Sequence, residues 1–69
     1  MTDWRSEPPD THGMFLHRWG AGWIERDALV YRQDGALHAQ VKIEPDSWRN
    51  AITVRSLADF GGQWLRVPE

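Results

Sequence analysis

The sequence has no cysteine, and that absence removes disulfide staples, thiolate-ligated zinc, thiol catalysis and redox switching together. An excess of either charge is also missing. Eight Lys and Arg stand against ten Asp and Glu, a formal net charge of −2, with both signs interleaved. Such a balance supplies neither a basic footprint for duplex nucleic acid nor an acidic surface dense enough to imitate DNA. The longest unbroken apolar run, Ala28-Leu29-Val30-Tyr31, is far short of the roughly 20 residues that span a bilayer as a helix. No membrane partner is expected. Met1 to Asp10 show no charged-then-apolar layout of a secretory signal, so the expected location is cytoplasmic.

Sixty-nine residues allow one domain, and a chain this short buries only about 60% of its unfolded surface. Without disulfides, stability has to come from large side chains, a metal or a partner subunit. The composition answers with tryptophan, which makes up five of the eight aromatic residues. Each buried aromatic removes roughly 150–250 Å² from water, so the Trp content reads first as core material. With a core this small, about three of the five should be buried and one or two partly exposed.

Residues 1–12 are polar, carry Pro8-Pro9 and show no period, which reads as a flexible N-terminal arm preceding one β-rich domain over 13–69. Trp4 stands alone in that arm, either folded back on the domain or offered to a partner.

The clearest local signal is Asp34-Gly35. Asp-Gly in a two-residue loop supplies the positive φ angles of a type I′ turn. The implied register sets Arg32 opposite Leu37, Tyr31 opposite His38, Val30 opposite Ala39 and Leu29 opposite Gln40. Leu37, Ala39, Val41 and Ile43 then share one face with Ala28 and Val30. Asp27 falls opposite Lys42, a favourable pair. Pro45 ends the second strand, since proline cannot donate into a ladder.

Trp19-Gly20-Ala21-Gly22-Trp23 and Phe60-Gly61-Gly62-Gln63-Trp64 share a design, two aromatics bracketing a three-residue glycine-bearing link. Read as hairpins, they pair Met14–Trp19 with Trp23–Glu25 and Ile52–Leu57 with Trp64–Val67, making the aromatics cross-strand neighbours. The alternation slips between Glu25 and Ala28, which suggests a bulge or short turn there. Residues 46–60 admit two readings. Asp46 or Ser47 could cap a helix, but Ala51-Ile52-Thr53-Val54-Arg55 alternates and is β-branched, which favours strand.

No constellation for catalysis stands out. His12, His17 and His38 lack the convergent ligands of a metal site and read as ordinary surface or edge histidines, His38 touching Tyr31 across the hairpin. No Gly-x-Ser-x-Gly elbow accompanies the three serines. The glycine clusters run straight into Trp, unlike a phosphate loop, which opens a helix. Neither enzyme activity nor a metal or other cofactor is expected.

Trp and Arg recur side by side, as in Arg18-Trp19 and Trp48-Arg49, and both dominate protein interfaces. The order Trp23, Val30-Tyr31, Gly35, Pro45, Trp48 resembles that of small chitin-binding and phage-tail carbohydrate modules. Arg26-Asp27-Ala28-Leu29 stands where those modules carry a Gly-Asp step. The Trp23 to Trp48 spacing is similar to that of WW domains, without their paired aromatics or closing Trp-x-x-Pro. The first resemblance implies a sugar ligand, and neither assigns a family.

The expected fold is therefore mostly β, a small antiparallel meander or open barrel of five to six strands, with room for one short helix after Pro45. Pairing at free sheet edges would favour a homodimer. The expected function is a non-enzymatic protein-interaction module, an adaptor or inhibitor of the kind phages and other mobile elements encode. Its interface would draw on Trp4, Arg18, Trp19, Trp48 and Arg49. A carbohydrate-binding module is the alternative, and a single-stranded nucleic-acid binder that stacks bases on Trp is a further one.

Overall fold

Asp34 and Gly35 both take positive φ, 53° and 79°, in the computed structural model, which describes residues 3–20 and 22–68. Their turn joins β2 (Arg26–Gln33) to β3 (Ala36–Val41). Every expected pairing is present, with Arg32 against Leu37, Tyr31 against His38, Val30 against Ala39 and Leu29 against Gln40. Lys42 and Asp27 meet just past the ladder, where the Lys42 amide donates to the Asp27 carbonyl (2.8 Å) and Nζ lies 3.6 Å from Oδ2.

The fold is mostly β, as expected: the described residues form five antiparallel strands in one open sheet, with a single short helix. Besides β2 and β3 it contains β1 (Gly13–Arg18), β4 (Ile52–Val54), α1 (Leu57–Phe60) and β5 (Gln63–Arg66), with strand order β4-β3-β2-β1-β5. The first four strands form a meander. The chain then leaves β4, turns through α1 over β3, and returns as β5 beside β1 at the opposite edge.

Both glycine-bracketed segments depart from the hairpin reading. Residues 23–25 are not a strand. β2 starts at Arg26, opposite His17, so the slip in alternation near Glu25 marks the strand's beginning. The connection from β1 to β2 is a seven-residue loop, 19–25. Phe60 ends the helix and Gln63 opens β5, with Gly61-Gly62 as the link. β4 and β5 are the two edge strands with three strands between them, so they cannot pair. The early part of 46–60 forms no helix. Glu44 and Ser47 bridge a tight turn around Pro45, and the helix starts at Leu57, where the Ser56 hydroxyl accepts from the Asp59 amide (3.4 Å).

The core lies on one face of the sheet, under α1. Phe15, Ala28, Val30, Ala39, Val41, Val54 and Trp64 point into it from the strands, and Leu57 from the helix. Ala39, on the strand α1 contacts, is fully buried, and its small side chain lets the helix approach the sheet.

Two backbone bonds tie the N-terminal arm to β5. The Arg5 amide donates to the Trp64 carbonyl (2.9 Å) and the Trp64 amide to the Arg5 carbonyl (2.8 Å). Arg66 Nη1 donates to Thr11 Oγ1 (2.9 Å) farther along. The β5 edge is thereby partly covered, as a free row of strand amides and carbonyls invites unwanted pairing.

Candidate binding surface

Antiparallel topology gathers particular loops at one end of the sheet. The 19–25 loop, the 42–51 segment and the Gly61-Gly62 turn all leave from or enter the end where Arg18 meets Gln63 and Arg26 meets His17. Trp19, Trp23 and Ile24 sit on the first of these, Ile43 and Trp48 on the second. All five are exposed, Trp23 at 64% and Ile24 at 70%. Trp64 alone of the five tryptophans is buried, and Trp4 is half-buried. This corrects the expectation of three buried indoles. The chain builds its core from aliphatic residues, Phe15 and Trp64, and leaves Trp19, Trp23 and Trp48 exposed over 40, 64 and 42% of their surface.

The exposed rings are nonetheless positioned. The Trp23 amide donates to the Gly20 carbonyl (3.0 Å), and a side chain at Gly20 would stand 3.1 Å from the Trp23 ring. Bare backbone at Gly20 therefore gives the indole its seat. The Arg26 guanidinium lies 5.5 Å over the Trp19 ring and the Lys42 ammonium 5.4 Å over Trp48. Such cation–π contacts contribute about 0.5–1 kcal/mol at exposed positions. Lys42 also reaches Asp27, which links the Trp48 segment to β2. Between the two loops lies a cleft of about 410 Å³ lined by Ile24, Glu25, Arg26, Asp27, Lys42, Ile43, Glu44 and Pro45.

The sequence-derived interface residues fall into separate places. Trp4 and Arg18 come together, the guanidinium 4.1 Å over the indole, while Arg18 Nε donates to Gln63 Oε1 (2.9 Å). That pair lies on the face of the sheet turned away from α1, since Arg18 follows the core residue His17 along β1. Trp19 and Trp48 stand at the loop end. Arg49 is exposed beside Trp48, its amide bound to the Ser47 hydroxyl (2.9 Å). Sequence reasoning missed Trp23, Ile24 and Ile43 because it placed them in or beside strands.

The histidines also divide. His12 is exposed, and His38 stacks on Tyr31 with ring centroids 5.8 Å apart. His17 is no surface residue. It is completely buried, ringed by Trp64, Phe60 and Trp19 at centroid distances of 4.5, 4.7 and 5.1 Å. The signal was present in the alternation, which sets His17 between Phe15 and Trp19 on one face. Burial lowers its pKa below the ordinary 6.5, opposed by a hydrogen bond to Gly61 and reinforced by the Arg26 charge.

Among the described residues no three His, Asp or Glu converge on a common point as metal ligands would, and no helix is long and apolar enough to cross a membrane. No protein-family model, curated protein or solved structure matches this chain.

Proposed function

We propose that the chain is a small non-enzymatic protein-binding module whose contact surface is the loop end of the sheet. The observation that carries this reading is the exposure of Trp19, Trp23 and Trp48 together with Ile24 and Ile43 on two loops at one end. Water-exposed indoles gathered with apolar neighbours mark interaction sites, and Trp is the residue most enriched among interface hot spots. Arg26, Lys42 and Gly20 hold the rings before a partner arrives, which reduces the ordering cost of association.

The test is affinity capture with the full chain, read against single Trp19→Ala, Trp23→Ala and Trp48→Ala variants. A protein retained by the parent and lost at least tenfold with Trp23→Ala supports the reading. Retention unchanged in all three variants, or no retained protein, removes it.

The cleft beside these rings favours one other reading, a carbohydrate ligand. Glu25, Asp27 and Glu44 line it beside Ile24 and Ile43, carboxylates that accept from sugar hydroxyls, and Trp23 adjoins Ile24 in the chain. Saturable quenching or a blue shift of Trp fluorescence on adding oligosaccharides would select this reading over the first. Single-stranded nucleic acid fits less well, because three carboxylates against two cations line the cleft. That ligand would bind with steeply salt-dependent affinity.

A further inference from the structure

His17 is the one fully buried polar side chain among the described residues. Its Nε2 lies 2.9 Å from the Gly61 carbonyl oxygen. A carbonyl only accepts, so Nε2 carries the proton and Nδ1 is the bare nitrogen. Nδ1 is sealed from solvent and has no hydrogen-bond partner. A second proton would have to go there, creating an N–H donor with nothing to receive it and a cation within a wall of three aromatic rings.

The surroundings do little to accommodate that cation. From β2 comes Arg26, the cross-strand partner of His17 and itself positive. From β5 come Trp64 and the uncharged Gln63, which is held by Arg18. α1 contributes Phe60, and its one titratable side chain, Asp59, is exposed. The Gly61-Gly62 turn offers only backbone. The ring faces and the Gly61 carbonyl attract positive charge, but burial and Arg26 act against it, and burial is the largest influence.

The cage is also unequal in strength. Its inner wall, Trp64, is held by β1 and by Arg5. Its outer wall is Trp19, past the end of β1 and 40% exposed, with Phe60 and two glycines at positive φ. The outer wall has fewer restraints and gives way first.

We propose that His17 is an acid-sensitive latch: on gaining a proton its ring leaves the aromatic cage, releasing Trp19 and the Phe60-Gly61-Gly62 turn while the sheet stays paired. Trp19 belongs to the exposed indole set, so opening the latch disperses that surface. This last consequence rests on the binding reading above, whereas the opening itself does not.

The experiment is NMR on the full chain from about pH 8 to about pH 5, the range in which histidine titrates. The His17 imidazole should titrate below 6.5, with the Trp19 indole N–H and the Gly61 and Gly62 amides moving at the same midpoint. Val30 and Val41 amides should stay protected throughout. His17→Phe should abolish the transition, and the His12→Gln, His38→Gln double variant should keep it. A His17 midpoint at or above 6.5, silent Trp19 and glycine signals, or loss of Val30 and Val41 protection at the same midpoint would each overturn the latch. If His17→Phe does not fold, agreement of midpoints in the parent chain decides alone. Partner retention measured above and below the midpoint then tests the link to binding. Constant retention with the NMR transition intact counts against the binding surface, and leaves the latch standing.

Discussion

A β carbon on Gly62 would collide with the His17 imidazole and stand 2.6 Å from the Arg18 carbonyl oxygen. The absence of a side chain there is what lets the chain entering β5 press against β1 while a full imidazole occupies the space between. Gly62 also holds φ at +80°, where other residues are strained.

Gly62→Ala is therefore expected to destabilise the protein by about 3 kcal/mol or more, combining left-handed strain with overpacking. Gly61→Ala is the control. Gly61 has positive φ as well (74°), but open space where a β carbon would go, so it bears only the conformational penalty, about 1–3 kcal/mol. Urea denaturation of the two variants should rank Gly62→Ala as the more damaging, and the reverse order would refute the close approach.

Burial of neutral His17 makes stability depend on pH with a definite sign. The folded-state pKa lies below the ordinary 6.5 of the unfolded chain, so the unfolded state takes up a proton first as pH falls. The stabilisation is fully present above 6.5 and is lost progressively as pH drops from there toward the folded value, by at most about 1.4 kcal/mol per pH unit. Denaturation midpoints recorded from neutral to mildly acidic pH should fall in that window for the parent. His17→Phe should flatten the slope there.

The five tryptophans should separate cleanly by mutation and by quenching. Trp64 is buried against Phe15, with ring centroids 6.5 Å apart, and replacing it with alanine should cost about 3–5 kcal/mol. Trp23→Ala removes a ring that is 64% exposed, and stability should change by no more than about 0.5 kcal/mol. In the intact chain acrylamide should quench the Trp23 component efficiently and leave the Trp64 component largely unaffected. Equal quenching of the two would contradict the placement of the loop.

The β2–β3 hairpin was legible in the sequence because its determinants are local. Two residues set the turn, and strict alternation from Leu37 to Val41 set the face, so register followed without knowledge of the rest of the chain. The β1–β5 pairing had no such signal. Leu16 meets Leu65 across 48 intervening residues, and nothing near either one specifies the partner. The loop end was hidden by register. Trp19-Gly20-Ala21-Gly22-Trp23 has the composition of a tight hairpin loop, and only the β1–β2 register that sets His17 opposite Arg26 lengthens it and places Trp23 outside the sheet. His17 departs from expectation for a different reason: its residue type suggests a surface, while its position in the alternation points to the core, where it is fully buried. Trp4 and Arg18 were singled out for composition, and the structure brings them into contact with each other.

The last prediction concerns the N-terminal arm, whose hold on β5 runs through backbone. Arg5 donates to and accepts from Trp64 through its main chain, while among the described residues its side chain makes only an exposed ion pair with Asp3 at 3.2 Å. Arg5→Ala preserves both main-chain bonds, and because exposed pairs contribute about 0–1 kcal/mol, stability should barely change. Arg5→Pro deletes the donor and leaves the carbonyl of the buried Trp64 without its partner. A loss of about 1–3 kcal/mol is expected from that unsatisfied group, together with faster exchange of the Trp64 amide as the bridge opens. Trp4, carried by the same segment, would then lose its place under Arg18, so the indole should become more accessible to acrylamide in Arg5→Pro and remain as it was in Arg5→Ala. Identical behaviour of the two variants would mean that the side chain, or nothing at all, secures the arm.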